Sequence, residues 1–162
     1  MGTRVQNIKI SYNIIGEIED LQEIDKRLLD TALKATEKAY APYSDLKVGA
    51  AVLLEGGLII SGSNQENASY PLGLCAERVA IFTASAEYPG RIIEKIIVVS
   101  KDNNGQLKPV TPCGGCRQVL YEYEFKQGKP ICFLMVGPKD NFLEFKSISS
   151  LLPFAFHKEQ MP

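Results

Sequence analysis

Apolar residues recur at Leu21, Ile24, Leu28, Ala32, Ala35 and Ala39, at spacings that predict a helix with one buried face. Asp20 followed by Glu23 has the form of a capping box at its start. Ala41-Pro42 stops it, because a proline disfavours helical geometry in the residue before it. Val48 to Leu54 and Leu58 to Ser61 are short runs of β-branched and small residues. Glu55-Gly56-Gly57 joins them, and its glycines accept the positive φ of a tight turn, so the pair predicts a hairpin. Arg78 to Glu87 follows a helical pattern that ends at Pro89-Gly90. Ile92 to Ser100 is apolar without alternation, which predicts a strand covered on both faces. Cys116 to Phe125 predicts a helix closed by Gln127-Gly128. The strands Ile131 to Val136 and Phe142 to Phe145 are too closely connected to run parallel, since a parallel return needs a crossover of roughly a dozen residues or more. For Val5 to Ile15 the pattern leaves two readings open, a short strand or a loose arm.

Helices interleaved with strands in this order predict an α/β domain, a three-layer α/β/α sandwich around a mixed five-stranded sheet. With no composition break, linker or repeat, residues 1–162 read as a single domain, residues 1–20 being an amino-terminal extension. The chain is long enough to bury a core without staples. Its 45% apolar and 23% charged residues are those of a globular protein. The 18 basic and 19 acidic residues nearly cancel, which argues against a nucleic-acid partner, because gripping phosphates takes a surplus of Lys and Arg. No stretch is apolar enough to span a bilayer, and the first residues lack the apolar run of a signal peptide, so no membrane partner and a soluble, cytoplasmic protein are expected. In a reducing compartment the four cysteines are expected as thiols or metal ligands.

Those cysteines carry the chemistry. Cys113 and Cys116, three apart at a helix start, face one side of that helix, and Cys75 and Glu77 sit just before another predicted helix. Helix N-termini favour thiolates. Were the two helix starts to abut, three thiolates would converge on one point and leave a fourth tetrahedral position for water, as at a catalytic zinc. Three thiolates on Zn²⁺ carry net negative charge, which Arg78 and Arg117 would offset by donating to the sulfurs. Glu77 beside the water would carry protons. Taken singly, each piece has other readings. Cys-Gly-Gly-Cys also has the form of a thiol redox pair, and a structural zinc site would use Cys132 or His157 as fourth ligand. For Cys132, within an apolar strand, the simpler reading is a small core residue, and for His157 a solvated tail residue.

Read jointly, Cys75-Ala76-Glu77 and Pro112-Cys113-Gly114-Gly115-Cys116 match the signature of zinc deaminases that use a non-ligand glutamate. The sequence closely resembles the small homotetrameric cytidine deaminases from about Ala39 to Phe156. The resemblance is carried by Ala41-Pro42-Tyr43-Ser44, Val48-Gly49-Ala50-Ala51, Asn64-Gln65-Glu66-Asn67-Ala68-Ser69-Tyr70, Cys75-Ala76-Glu77-Arg78, Pro112 to Val119, and Leu151-Leu152-Pro153-Phe154-Ala155-Phe156. It implies one zinc ion per chain on Cys75, Cys113 and Cys116, with Glu77 as proton shuttle. The Ala76 N–H would meet the pyrimidine carbonyl oxygen. Asn64 and Glu66 would bind the ribose 3′-hydroxyl. Tyr70 and Phe156 would complete the pockets of neighbouring subunits in a homotetramer. The implied reaction is hydrolysis of cytidine or deoxycytidine to uridine or deoxyuridine in pyrimidine salvage.

The chain also departs from the family. Leu46 stands where a phenylalanine usually packs on the base, and Gln65 replaces a usual aliphatic residue. Competing readings are a nucleic-acid deaminase, a deaminase of another aminated heterocycle such as a nucleoside antibiotic, a non-enzymatic structural-zinc module and a thiol redox protein. The near-neutral charge, the Asn64/Glu66 pair and the short terminal hairpin weigh against the first of these.

Overall fold

The computed structural model of the chain describes residues 2–102, 104–139 and 141–162. Its strands are β1 (Asn13–Ile15), β2 (Lys47–Leu54), β3 (Leu58–Ser63), β4 (Ile93–Lys101), β5 (Leu107–Lys108), β6 (Cys132–Val136) and β7 (Phe142–Phe145). Its α-helices are α1 (Glu23–Thr36), α2 (Ala76–Glu87) and α3 (Gly114–Gln127). The sheet runs β1-β7-β6-β4-β2-β3, with β5 beside the end of β4. Among the named strands of the described residues only β4 and β6 pair in parallel, across the α3 crossover, and β6–β7 is antiparallel as its short connection requires.

Two apolar clusters cover the two faces of this sheet. Ala50, Val52 and Leu54 of β2, Ile96 and Val98 of β4, and Phe133 and Met135 of β6 point toward α2 and α3. The alternate residues Ala51, Leu53, Ile97, Val99, Leu134 and Val136 point toward α1, with its Leu28, Leu29 and Ala32. That is why these strands read as unbroken apolar runs: each side chain has a layer to enter. The α/β/α sandwich is as predicted.

Among the described residues the sheet has seven strands, not five. The additional pair are β1, formed by the last three residues of the undecided Val5–Ile15 segment, and the two-residue β5. Neither is long or apolar enough to announce itself; each exists because a longer neighbour offers it a free edge. The predicted capping box also fails. Asp20 Oδ2 accepts from the Glu17 N–H (3.1 Å) in a preceding 3₁₀ turn, and Gln22 caps α1 without a side-chain bond. Helix α1 stops at Thr36, short of Ala39, because the chain is captured by a distant segment: Tyr40 N donates to Asn64 O (3.0 Å) and Glu66 N to Tyr40 O (2.8 Å).

Glycine sets the closest approach of helix and sheet. A Cβ on Gly62 of β3 would run into the backbone of α2 at Ala76 and Ala80, and one on Gly49 of β2 into α1 at Ala32 and Thr36. At the β1 end, Lys95 Nζ lies 2.7 Å from Asp25 Oδ1 and 3.0 Å from Glu144 Oε1, and Asn13 Nδ2 donates to Glu144 Oε2 (2.9 Å). Burial there would raise the Glu144 carboxyl, but Asn13 and Lys95 outweigh it and hold it below its usual range.

Glu124 of α3 is a buried acceptor for four donors: Ile131 N (2.7 Å), Ser147 Oγ (2.7 Å), Ile148 N (2.8 Å) and Ser149 N (3.1 Å). It thereby fastens α3 to the start of β6 and to the 3₁₀ turn Ile148–Leu151. Glu124→Ala leaves two buried N–H groups unpaired and is expected to lower unfolding stability by about 3 kcal/mol in urea titration. A loss below about 1 kcal/mol would show that water replaces these bonds freely.

Candidate active site

Helices α2 and α3 begin before Arg78 and Cys116, where the apolar pattern placed them, and this shift builds the site. Cys75 and Cys113 are the N-caps of α2 and α3, and Cys116 stands in the first turn of α3. The three Sγ atoms lie within 4.8 Å of one another, with Cys75 and Cys113 3.9 Å apart, and none is in a disulfide. The Cys113 sulfur also accepts from the Cys116 N–H (3.4 Å), as an N-cap side chain does.

The sulfurs share protons unevenly. Donation from the Cys116 thiol, opposed by burial and assisted by Arg78, pulls Cys75 down to about 5. Cys116, donating to Cys75 and fully buried, is pushed up. A bound cation would displace the remaining thiol protons, since it is held by thiolates. Tetrahedral zinc with Zn–S bonds of about 2.3 Å separates its sulfurs by about 3.8 Å, so the Cys75–Cys113 spacing fits that ion. Among the described residues, no other Cys, His, Asp or Glu joins the cluster.

The two arginines differ. Arg78 Nη2 lies 3.9 Å from Cys75 Sγ and 3.0 Å from Gly73 O, so it faces the sulfurs. Arg117 was expected to donate to sulfur as well, and it does not. Its Nε donates to Pro112 O (2.9 Å) and its Nη1 to Leu151 O (3.1 Å), because its side chain runs toward the 148–151 turn. It steadies the residue before Cys113 rather than the charge on the thiolates.

Cys75 and Cys113 stand at one end of a cleft of about 470 Å³, with Cys116 buried behind them. Ala76 and Glu77 line this end; Glu77 is 3% exposed, and burial, then the charge of Cys75, raises its carboxyl above the usual range. Ala76 is the first residue of α2, so its N–H has no acceptor within the helix. Leu46, Val48 and Val110 form apolar wall, and Asn64, Glu66 and Tyr70 line the outer part. The Asn64 carboxamide accepts from Val48 N (2.9 Å) and donates to Leu46 O (2.8 Å). Glu66 accepts from Tyr43 N (2.9 Å), Ser44 N (3.3 Å) and the Ser44 hydroxyl. Although Gln65 also borders the cleft, its amide donates to Lys38 O (3.3 Å) and Ser63 Oγ (3.1 Å), toward the end of α1.

Tyr70 is 73% exposed at the rim, edge-on to Tyr43 with ring centres 5.9 Å apart. Phe156 lies outside the cleft on the surface, its backbone paired to the Gln118 carboxamide. Cys132 donates to Glu144 (3.5 Å) and burial pushes it up to about 12, so it is a protonated thiol in the β1-end network. His157 stacks on Phe125 at 5.0 Å. Tyr43, Val110 and Thr111 also line the cleft and were not singled out. Their signal was position alone, beside Ser44 and just before Pro112-Cys113.

Three thiols at two helix starts, with a buried glutamate beside them on an α/β/α sandwich, define a zinc-deaminase type of site. The chain belongs to the cytidine and deoxycytidylate deaminase family, whose zinc-binding region its residues 22–129 match. It is 42% identical over 134 residues to the cytidine deaminase of Halalkalibacterium halodurans, covering 83% of this chain and 95% of that one. Identity to the Sporosarcina psychrophila cytidine deaminase is 41%, over 84% of this chain and 93% of the relative. The crystal structure of cytidine deaminase from Burkholderia pseudomallei superposes with a TM-score of 0.66 at 42% identity, covering 81% of this chain and 98% of that one.

Proposed function

We propose that this chain hydrolyses the amino group of cytidine and deoxycytidine, releasing ammonia and leaving uridine and deoxyuridine. The observation that carries this reading is Glu77, a buried carboxylate that lines the same cleft as Cys75 and Cys113 of the thiol cluster. Cys75, Cys113 and Cys116 would hold one zinc ion, which when bound makes water acidic enough to ionise near neutral pH. Glu77 would take a proton from the attacking water and pass it to the ring nitrogen beside the amino-bearing carbon. It would then take the second proton from the hydroxyl now on that carbon and pass it to the amine, which leaves as ammonia as the carbonyl forms. Its burial makes the carboxylate more basic than usual, which suits a group that must take a proton from water and give it back.

The free Ala76 N–H would receive the pyrimidine carbonyl oxygen. Leu46 would pack on the base without ring stacking. Asn64 and Glu66 would meet the ribose 3′-hydroxyl, since each keeps hydrogen-bonding capacity beyond its backbone partners. Phe156, exposed and outside its own cleft, and Tyr70, exposed at the open rim, would be available to a neighbouring subunit. This supports a homotetramer with sites at its interfaces. Among the described residues, no helix is long and apolar enough to cross a membrane. Cytoplasmic pyrimidine salvage is the setting this reaction fits.

The test is the fall in ultraviolet absorbance of cytidine and deoxycytidine with matching ammonia release, alongside single-stranded DNA and RNA as substrates. Zinc-loaded protein inert toward both nucleosides would sink the reading. The metal assignment has its own check. Atomic absorption should find one zinc per chain in the wild type and in Cys132→Ala, and almost none in Cys113→Ser. Zinc lost from Cys132→Ala would instead mean a closed structural site.

A further inference from the structure

We propose that Ser44 is a positioning residue that locks the Glu66 carboxylate at the outer end of the cleft and so sets recognition of the sugar hydroxyl. This rests on the reading of Glu66 as a sugar contact. An exposed glutamate ordinarily sweeps through several rotamers, and holding it still costs side-chain entropy that fixed donors must offset. Here two backbone donors, Tyr43 N and Ser44 N, both reach Oε2. On their own they anchor one oxygen and leave the carboxylate plane free to turn about it. The Ser44 hydroxyl holds the other oxygen, Oε1, and fixes the plane.

The direction of that hydroxyl proton is determined by its surroundings. Ser44 Oγ accepts from the Leu46 N–H (3.1 Å), which uses a lone pair, and its single proton is left for Glu66. Asp45, with φ of 56°, turns the chain through the left-handed region between Ser44 and Leu46. Donation from Ser44, followed by the backbone N–H of Tyr43, holds the Glu66 carboxyl below its usual range, so it faces the cleft as an acceptor. An oxygen that already accepts one bond can take a second from a sugar hydroxyl.

A plain turn-forming role for Ser44 gives a different outcome. Leu46 has its own anchor, because Asn64 binds Leu46 O and Val48 N independently of Ser44. Deleting the Ser44 hydroxyl therefore frees the carboxylate while the apolar wall beside the base stays in place. The loss should fall on the sugar and spare the base.

Steady-state kinetics of Ser44→Ala on cytidine and on 3′-deoxycytidine separate these outcomes, with zinc content and melting temperature followed in parallel. KM for cytidine should rise about tenfold, the size expected for one charge-assisted hydrogen bond, and kcat should change little. KM for 3′-deoxycytidine should not move, and Ser44→Thr should restore cytidine. If the alanine variant does not fold, Ser44→Cys, similar in size but a weak donor, should show the same split. Equal KM increases on both substrates, or no increase on either, overturn the proposal. Glu66→Gln separates its failure from that of the underlying reading. If Glu66→Gln discriminates between the substrates as the wild type does, Glu66 is not the sugar contact. If it loses discrimination while Ser44→Ala keeps it, only the role of Ser44 falls.

Discussion

Glu77→Gln should bind zinc as the wild type does and lose about three to four powers of ten in kcat on cytidine. The substitution keeps the volume of the side chain, so α2 and its Cys75 cap stay where they are. What it removes is the ability to accept a proton and give it back. Among the described residues beside the thiols, none is free to take over. Cys75 and Cys113 are committed as ligands under the proposed scheme, and Arg78 cannot deprotonate in a protein. The buried position of Glu77 also keeps bulk water from substituting for it. A variant that retained zinc and kept kcat within about tenfold of wild type would place the proton transfer elsewhere, whatever the fate of KM. Losing zinc as well would mean the carboxylate helps hold the metal.

Gly62→Ala carries the second large effect, although residue 62 is not a site residue. Its new Cβ would meet the nitrogen and Cα of Ala80 and the carbonyl of Ala76, all of them backbone, which cannot swing aside. Helix α2 must lift from β3. The cost is about 3 kcal/mol in urea denaturation. Because α2 begins with Ala76 and carries Glu77 in its first turn, the shift is passed directly to the reacting end of the cleft. A misplacement of about 1 Å is enough for roughly a hundredfold loss in kcat/KM. Gly49→Ala provides the contrast. It jams α1 against β2 on the opposite face, so it should cost comparable stability and leave the kcat of the folded fraction near wild type. Equal damage to kcat from both variants would mean that the sandwich transmits strain across its layers, and the link through α2 would lose its support.

Much of this molecule could be read from its residues. The unbroken apolar run of β4 announced a strand covered on both faces, and the short Gly137–Asn141 connection required antiparallel β6 and β7. What escaped was set by partners far away in sequence. Helix α1 ends at Thr36 because Tyr40 bonds to Asn64 and Glu66, a pairing invisible in the 20–42 segment. β5 needs the edge of β4 to exist at all. In the site, the cysteine spacing and Glu77 spoke for themselves because metal and proton chemistry demand those residue types. The task of Arg117 did not, since an arginine beside a cysteine can equally reach a carbonyl of another loop. Likewise, sequence alone left unseen that the side chains of Asn64 and Glu66 are already tied to the backbone of residues 43–48.

The three residues of β1 have a consequence for how copies of this chain behave toward one another. By pairing with β7 they turn Phe142–Phe145 from a sheet border into an inner strand. A bare border built on two buried phenylalanines, Phe142 and Phe145, would be a template for stacking one chain onto the next. The border that replaces it is three residues long, polar at Asn13, and followed by Gly16 and Glu17. That is too short and too interrupted for fibre-like growth. Three residues far from the cysteines thus decide how much open border the sheet offers a neighbouring chain.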